Sequence, residues 1–320
     1  MARLAFVVVT VVLLSATGAI GSERKRDGPI WIATGYGSVW VGTGGGSVIR
    51  IDPHTHRVVQ RLDLSVTAVQ GLAAAYGSVW VATGTGLLQR IDPATGHVRG
   101  IWTPDTCTAR SVAVAARALW VLDFHRKRLC RIDPFRKRVS RKVWIDAGEP
   151  LTLWSDSAQL WLSVNLDPKP PFVEDQLEHV RLLALDPQTG APLGPTIDTT
   201  GWVGFSSGYG SLWAADPIAS TLTRIDPISG RAIALRSGVE STSAPVAGFG
   251  ALWLPVGRTL WRLDPDSLGV IADVPVAAST VALGSGGVWV LNTGDGRRGT
   301  VYEVDPRTNS VVGRPIPLGR

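Results

Sequence analysis

Short apolar runs separated by turn residues make up most of the chain. Between residues 71 and 102, four such runs follow one another, at Gly71–Ala75, Ser78–Thr83, Leu87–Ile91 and His97–Trp102. Their length, their alternation and the Gly, Pro and Asp residues between them are typical of β-strands. The pattern therefore predicts short strands connected by tight turns.

Two sequence markers recur along the chain, and a recurring marker indicates an internal repeat. A Trp inside an apolar run recurs at intervals of 40, 40, 41, 52, 40 and 36 residues, at Trp40, Trp80, Trp120, Trp161, Trp213, Trp253 and Trp289. An Asp-Pro pair recurs at intervals of 40, 41, 53, 40, 38 and 41 residues, at Asp52, Asp92, Asp133, Asp186, Asp226, Asp264 and Asp305. Because the two markers agree, we infer seven units of about 40 residues, with an insertion of about a dozen residues in the fourth.

The number of units leads to an architecture. A sheet of four short strands cannot bury both of its faces alone, whereas seven such sheets packed radially can. We therefore predict an all-β protein, a seven-bladed β-propeller of four-stranded antiparallel blades. Because the first unit has its own first strand and the last its own fourth, we expect closure without strand exchange. The propeller is predicted to span 29–320, with blades at about 29–65, 66–105, 106–147, 148–198, 199–237, 238–276 and 277–320.

The two markers have structural roles in this prediction. The chain has 13 Trp against 6 Phe and 4 Tyr, and seven of the Trp residues are expected to wedge between neighbouring blades. Each Asp-Pro pair begins the turn between a third and a fourth strand, where Pro sets φ and the Asp carboxylate accepts backbone N–H bonds. We therefore expect the seven Asp residues to cap turns rather than bind metal.

The repeat motif resembles that of a known superfamily. Gly-Ser-Val-Trp-Val-Ala at 77–82, followed by Arg-Ile-Asp-Pro-Ala-Thr-Gly at 90–96, resembles the bacterial YVTN-type and streptogramin (virginiamycin B) lyase-like seven-bladed propellers. The resemblance covers residues 29–315 and implies the same fold. That superfamily contains enzymes, binding proteins and sensors, so the resemblance implies no single activity.

The lyases of this superfamily imply one specific chemistry. They open a cyclic lactone by metal-assisted elimination, with a general-base His and a metal-associated Glu in the late blades. Of the five His residues in this chain, His54, His56 and His97 lie in or beside the Asp-Pro turns, where we expect them to be exposed. All five, which also include His125 and His179, precede the fifth unit. We therefore carry over no catalytic residue and no metal ligand. No cofactor is predicted, and a divalent cation enters only if the lyase alternative holds.

The N-terminal residues have the order of a secretory signal. Arg3 precedes the apolar run Leu4–Leu14, and small residues follow. We predict a signal peptide at 1–21, a basic linker at 22–28 and an extracytoplasmic location. An uncleaved signal anchor is the alternative, because Leu4–Ile20 just reaches the length of a membrane span.

The two cysteines, Cys107 and Cys130, both occur in or near the third unit. In an oxidising compartment a disulfide between them would close the loop that separates them. The sequence leaves the bonded and the free state open, because it gives no distance between the two thiols.

Positive charge is concentrated in the third unit. Residues 126–142 hold nine Lys or Arg residues and one acid, Asp133, against a formal net charge of +6 for the whole chain. One interpretation is docking to an anionic envelope surface through Arg126–Lys142. The preferred one is protection of an outer strand against sheet-to-sheet aggregation. We do not expect nucleic-acid binding, because no stacking aromatics are interleaved with these cations.

The insertion Asn165–His179 is the main departure from the repeat, and long loops on a regular scaffold often carry recognition. It extends a loop between second and third strands, the same loop class that holds His125. We expect these loops and the blade-to-blade crossovers to share one face of the ring. The candidate ligand-binding residues on that face are Arg110, His125, Glu149, Asn165, Trp202, Asp216, Glu240, Arg258 and Asp295.

These observations support three functional hypotheses. The preferred one is a non-enzymatic, extracytoplasmic binding or scaffold protein that recognises a protein or small ligand on its loop face. The second is a metal-assisted, streptogramin-lyase-like C–O lyase or hydrolase. The third is an envelope-attached propeller docked through its basic third blade. In each case we expect a monomer.

Overall fold

The computed structural model describes residues 28–102, 107–156, 159–167, 179–200, 204–241, 243–294 and 298–319. The regular secondary structure in these ranges is entirely β, in 28 strands. The strands form seven four-stranded antiparallel sheets, and every sheet consists of four consecutive strands. This confirms the seven-bladed propeller closed without strand exchange. Across the described ranges no helix has the length and apolar character needed to cross a membrane.

Each blade adds its strands from the inside outwards, and the first strands of most neighbouring blades lie against one another. The innermost strands are β1 (Pro29–Gly35), β5 (Val69–Ala75), β9 (Ser111–Ala115), β13 (Glu149–Ser155), β17 (Gly204–Gly208), β21 (Val246–Gly248) and β25 (Thr280–Gly284). The second strands are β2 (Ser38–Thr43), β6 (Ser78–Thr83), β10 (Ala118–Asp123), β14 (Leu160–Asn165), β18 (Ser211–Asp216), β22 (Ala251–Val256) and β26 (Gly287–Asn292).

The two outer positions complete each blade. The third strands are β3 (Ser47–Asp52), β7 (Leu88–Ile91), β11 (Arg128–Asp133), β15 (His179–Leu185), β19 (Thr221–Ile225), β23 (Thr259–Leu263) and β27 (Thr300–Asp305). The outermost strands are β4 (Arg57–Asp63), β8 (Val98–Trp102), β12 (Arg138–Trp144), β16 (Ile197–Thr200), β20 (Ala232–Ser237), β24 (Val270–Val274) and β28 (Ser310–Pro317). Strand β16 ends two residues beyond the range expected for blade 4.

The Trp marker fills the space between blades. All seven marker indoles are at most 1% exposed. Trp40 of blade 1 belongs to a cluster with Leu72 and Val79 of blade 2. Trp289 of blade 7 lies in the cluster that includes Val39 of blade 1, which closes the ring. Packing between blades therefore holds the ring together.

An Arg in the third strand covers the indole in several blades, a feature that the sequence analysis missed. The guanidinium of Arg50 lies 5.4 Å from the Trp40 ring centre, and Arg262 lies 5.6 Å from the Trp253 ring centre. Arg262 also donates to the backbone oxygen of Pro306 in the next blade, at 2.8 Å. Arg50, Arg224 and Arg262 therefore contribute both a cation–π contact and a link to the next blade.

The Asp-Pro turns have the predicted capping geometry. The Asp92 carboxylate accepts the backbone N–H groups of Ala94 and Thr95 at 2.9 and 3.1 Å, and Gly96 closes the turn at φ +73°. The hydrogen bonds from these N–H groups lower the pKa of the Asp92 carboxyl. Backbone N–H groups donate in the same way to the other six Asp-Pro carboxylates, at Asp52, Asp133, Asp186, Asp226, Asp264 and Asp305.

One turn residue differs from its prediction. His56 takes the position of the turn Gly at φ +52°, but its side chain is only 18% exposed, although a solvated turn residue was expected. Its Nε2 lies 2.5 Å from a carboxylate oxygen of Glu303. Glu303 occupies in blade 7 the strand position that Arg262 holds in blade 6. The last contact of the ring therefore uses a His–Glu pair where other blades use Arg.

Candidate functional site

The two faces of the ring differ in regularity. One face, here called the turn face, carries the hairpin turns between first and second strands and the Asp-capped turns between third and fourth strands. The other, the loop face, carries the loops between second and third strands and the crossovers between blades. The second-to-third loops range from two residues at 257–258 to thirteen at 166–178. The range of loop lengths among the blades is therefore widest on the loop face.

A charged and aromatic group lies on the loop face of blades 3 and 4. The Arg110 guanidinium stacks on the Phe124 ring, 4.4 Å from its centre, and the His125 ring meets Phe124 edge-on at 5.8 Å. Lys127 of the same loop forms an ion pair with Glu149 at the start of blade 4. These five residues are the rim cluster. The rim cluster contains three of the predicted site residues, Arg110, His125 and Glu149. The sequence analysis missed the other two, Phe124, which contacts Arg110 and His125, and Lys127, which pairs with Glu149.

A buried charge pair supports the loop that carries the rim cluster. Asp123 is fully buried and accepts a hydrogen bond from Arg128 Nε at 3.0 Å, while Arg128 Nη2 lies 2.9 Å away as an ion-pair contact. The Thr108 hydroxyl also donates to Asp123. Asp123 and Arg128 are cross-strand partners at the two ends of the loop. Since breaking a buried pair leaves an uncompensated charge, this pair fixes the loop conformation.

The two cysteines are bonded to each other and tie the crossover before blade 3 to strand β11. Cys107 is 3% exposed and Cys130 is fully buried. The disulfide lies next to Thr108, which bonds to Asp123. The crossover and the loop that bear Arg110 and His125 are therefore fixed to the same blade.

A second polar group lies at the base of the insertion in blade 4. His179 Nδ1 contacts the Asp167 carboxylate, and Arg181 binds Asp198 through two hydrogen bonds of 2.6 and 2.7 Å. The hydrogen bonds from Arg181 lower the pKa of Asp198. His179 begins strand β15, so the structure places it in a strand rather than in the insertion loop. Residues 168–178 lie outside the described residues.

The remaining predicted site residues are dispersed around the face. Asn165 is 4% exposed and its Oδ1 accepts the Asp167 N–H, so its side chain supports the loop. Asp216 accepts the N–H groups of two following residues, both at 2.9 Å, and caps its own loop. Glu240 and Arg258 are exposed between blades 5 and 6 and in blade 6. Trp202 and Asp295 lie outside the described residues.

The described side chains of the rim cluster offer charge, hydrogen-bonding groups and an aromatic ring. Among the residues that the structure describes, no group of three or more His, Cys, Asp or Glu side chains could hold a metal ion. Asp167 and His179 form a pair without a third such partner in that set. The lyase alternative therefore stays a prediction without a described site. The sequence Gly204–Gly208, which formally matches a nucleophile elbow, is strand β17 and leads into another strand.

Comparison with known proteins supports the fold alone. No family model matches the chain, and no curated protein is detectably similar to it in sequence. The computationally designed Ika8 protein is similar in structure with a TM-score of 0.63 at 12% identity, over 91% of this chain and 87% of that chain. Because a designed protein shares the fold, the fold by itself indicates no activity.

Two natural proteins are also similar in structure. BamB from Moraxella catarrhalis has a TM-score of 0.53 at 13% identity, over 98% of this chain and 92% of that chain. The dihydro-heme d1 dehydrogenase NirN, solved in complex with DHE, has a TM-score of 0.59 at 13% identity, over 88% of this chain. The match spans only 64% of the NirN chain. At these identities membership of the YVTN or streptogramin-lyase-like superfamily stays a prediction.

Proposed function

We propose that this protein is an extracytoplasmic binding or scaffold propeller that recognises a protein or small ligand on its loop face. The observation that carries the proposal is the rim cluster, which sets an exposed Arg110 and His125 around Phe124. Arg and aromatic side chains are the residues that most often dominate binding energy at interfaces. The turn face, by contrast, repeats one capped turn in every blade.

The rim cluster favours a ligand with an anionic group beside an apolar or aromatic group. Arg110 is exposed, so its guanidinium can pair with a carboxylate or phosphate while one of its faces stacks on Phe124. The loop beneath is fixed by the Asp123–Arg128 pair and the disulfide. A fixed site loses little conformational entropy when it binds, which increases affinity.

An extracytoplasmic location is supported by the disulfide as well as by the predicted signal segment. Disulfides persist in oxidising compartments and are rare in the cytosol. Cys107 and Cys130 are bonded to each other. Residues 1–27 lie outside the described residues, so cleavage and anchoring both stay predictions.

Photo-crosslinking in the native envelope tests the choice of face. A photoreactive amino acid replaces His125 on the loop face or, as a control, Ile228 on the turn face, which is 80% exposed. We expect one or a few crosslinked products of defined mass from position 125, and we expect none of these products from position 228. Equal adduct patterns from both positions would contradict the proposal.

Substitution of the rim cluster tests the site itself. Arg110→Ala removes the charge and the stacking contact, and we expect the crosslinking yield from position 125 to fall about thirtyfold, the lower bound for an interface hot spot. Arg231→Ala, an exposed Arg at the turn-face end of blade 5, is the matched control and should leave the yield unchanged. An unchanged yield in Arg110→Ala would exclude the rim cluster as the site.

A further inference from the structure

The outer edge of blade 3 combines exposed cations with exposed aromatic rings. The segment comprises strand β12 and the end of the turn before it, residues 135–144, and is called the basic edge. Phe135 at its turn-face end is 63% exposed, and Trp144 at its loop-face end is 64% exposed. The exposed cations between them are Arg136, Lys137, Arg138, Arg141 and Lys142.

Protection against aggregation, the interpretation preferred from sequence, does not account for this composition. The outer strands β20 and β24 expose Ile233, Leu235, Val270 and Ile271 at 41 to 60% without a comparable set of cations. The fold therefore does not require a cation-rich edge at the outer position of a blade. An exposed Trp also adds apolar surface to an edge, which is the opposite of protection.

The exposed indole is held in a defined position. The guanidinium of Arg128 lies 5.6 Å from the centre of the Trp144 ring, and the two residues are cross-strand partners. Arg128 is itself 6% exposed and fixed by the fully buried Asp123. Trp144 is therefore ordered before any partner arrives, so binding through it costs little side-chain entropy.

Charge and aromatic content together favour a lipid surface over a soluble polyanion. Clustered Lys and Arg residues are attracted to anionic lipid headgroups. Trp is enriched where headgroups meet acyl chains, because its ring is apolar and its N–H is polar. A soluble polyanion without aromatic bases, such as polyphosphate, requires the cations alone and gives no role to an exposed, ordered indole.

We propose that the basic edge docks this protein on an anionic lipid surface, with the cations of β12 binding headgroups and Trp144 as the interfacial anchor. Phe135 and Trp144 lie at opposite ends of the strand, so contact along the edge leaves the loop face uncovered. The docked protein can therefore still bind a ligand at the rim cluster. The two proposals use different contact residues, Arg110 with Phe124 and the cations of β12 with Trp144, while the Asp123–Arg128 pair supports both. Substitutions of Arg110 and of Trp144 therefore test them separately.

A lipid-sensitive fluorophore on the edge tests the contact directly. Ser140 of β12 and Ser237 of β20 are exposed serines on outer strands. Each is replaced by Cys in the full chain and labelled, since the two native cysteines are bonded to each other. With vesicles of phosphatidylcholine and phosphatidylglycerol, we expect blue-shifted emission from Ser140→Cys and no shift from Ser237→Cys.

The label reports only its own surroundings, so a membrane contact made by residues 4–20 cannot produce this difference. Vesicles of phosphatidylcholine alone should give no shift at either position. An unshifted label at position 140, or equal shifts at both positions, overturns the proposal.

Two triple variants that lose the same amount of charge distinguish the effect of the basic edge from the effect of the net charge of the protein. One carries Arg138→Gln, Arg141→Gln and Lys142→Gln, and the control carries exposed Arg231→Gln, Arg307→Gln and Arg314→Gln on blades 5 and 7. Each cation contributes about fivefold to the affinity for anionic lipid. The edge triple should therefore raise the lipid concentration at which half of the emission shift of the label at position 140 is reached by about a hundredfold. The control triple should leave it nearly unchanged. Equal losses in both variants overturn the proposal.

Trp144→Ala tests the anchor under high salt, where the attraction of the cations is screened. We expect the remaining vesicle binding to be lost in Trp144→Ala and largely restored in Trp144→Phe, with the melting temperature close to that of the native protein. If soluble polyphosphate binds the edge as tightly as vesicles do, and Trp144→Ala changes neither, the edge binds polyanions and the lipid proposal is wrong.

Discussion

At the residue scale, the exposed fraction of the indole distinguishes the Trp residues that pack between blades from Trp144 on the surface. The seven marker indoles, such as Trp253, are buried between blades, whereas Trp144 is 64% exposed on an outer strand. The buried Trp253 indole also donates its Nε1–H to the backbone oxygen of Gly248 at 3.2 Å. A marker Trp therefore contributes both apolar contact area and a satisfied hydrogen bond.

This difference predicts opposite effects of one substitution at two positions. Trp253→Ala should lower the free energy of unfolding by about 3–5 kcal/mol, because it opens a cavity between blades 6 and 7. Trp144→Ala removes no buried contact area of that size and should change it by less than about 1 kcal/mol. Denaturant unfolding of both variants measures the difference. Similar losses would show that Trp253 does not wedge the blades.

At the element scale, the Asp-capped turn is the unit that repeats most faithfully. Hydrogen bonds from backbone N–H groups lower the pKa of the turn carboxyl below its ordinary value of 3.8 in six of these turns, at Asp52, Asp92, Asp133, Asp186, Asp226 and Asp264. A carboxyl with a lowered pKa in the folded state stabilises the fold at pH values above the unfolded pKa. That stabilisation is lost as the pH falls through the folded pKa.

Acid should therefore destabilise the protein partly through its turns. Asp92→Asn keeps an oxygen that can accept the turn N–H groups but has no carboxyl to titrate. We expect the melting temperature of this variant to fall less steeply than that of the native protein between pH 5 and pH 3. Asp146→Asn, in the exposed crossover after blade 3, is the control. A native-like acid profile in Asp92→Asn would exclude the turn as a source of the pH dependence.

At the scale of the whole molecule, the ring divides stability from recognition. Seven core clusters between neighbouring blades hold the ring, and the last one joins Trp289 of blade 7 to Ile32 and Val39 of blade 1. The longest loop, 166–178, connects two strands that pair along their length without it. The scaffold should therefore tolerate changes in this loop.

Removing that loop tests the division. Replacing 168–178 by a short Gly-Ser link keeps Asn165, Asp167 and His179 in place. We expect the melting temperature to change by no more than a few degrees, since loop length affects stability only weakly. Crosslinking from position 125 measures recognition in the same variant and should fall if the insertion contributes to the site. A large loss of stability would show instead that the loop is part of the core.

The repeat spacing alone gave the blade number, the strand order and the turn chemistry. These features depend on residues close in sequence, as when Asp92 caps Ala94 and Thr95 within one turn. Similar units also favour the same packing in every blade, so Trp40 and Trp289 could be assigned the same role from their position. This is why the fold was predictable and its closure was confirmed.

The site depended on the tertiary structure, because its contacts join residues from different blades or different strands. Lys127 of blade 3 forms its ion pair with Glu149 of blade 4. Phe124 belongs to the rim cluster because the folded chain stacks Arg110 on its ring. The partner of His56 lies 247 residues away in blade 7. The run at 126–142 showed its charge in the sequence, but only the folded blade brings Arg128 under an exposed Trp144. Such long-range pairings follow from three-dimensional proximity, which local periodicity does not specify.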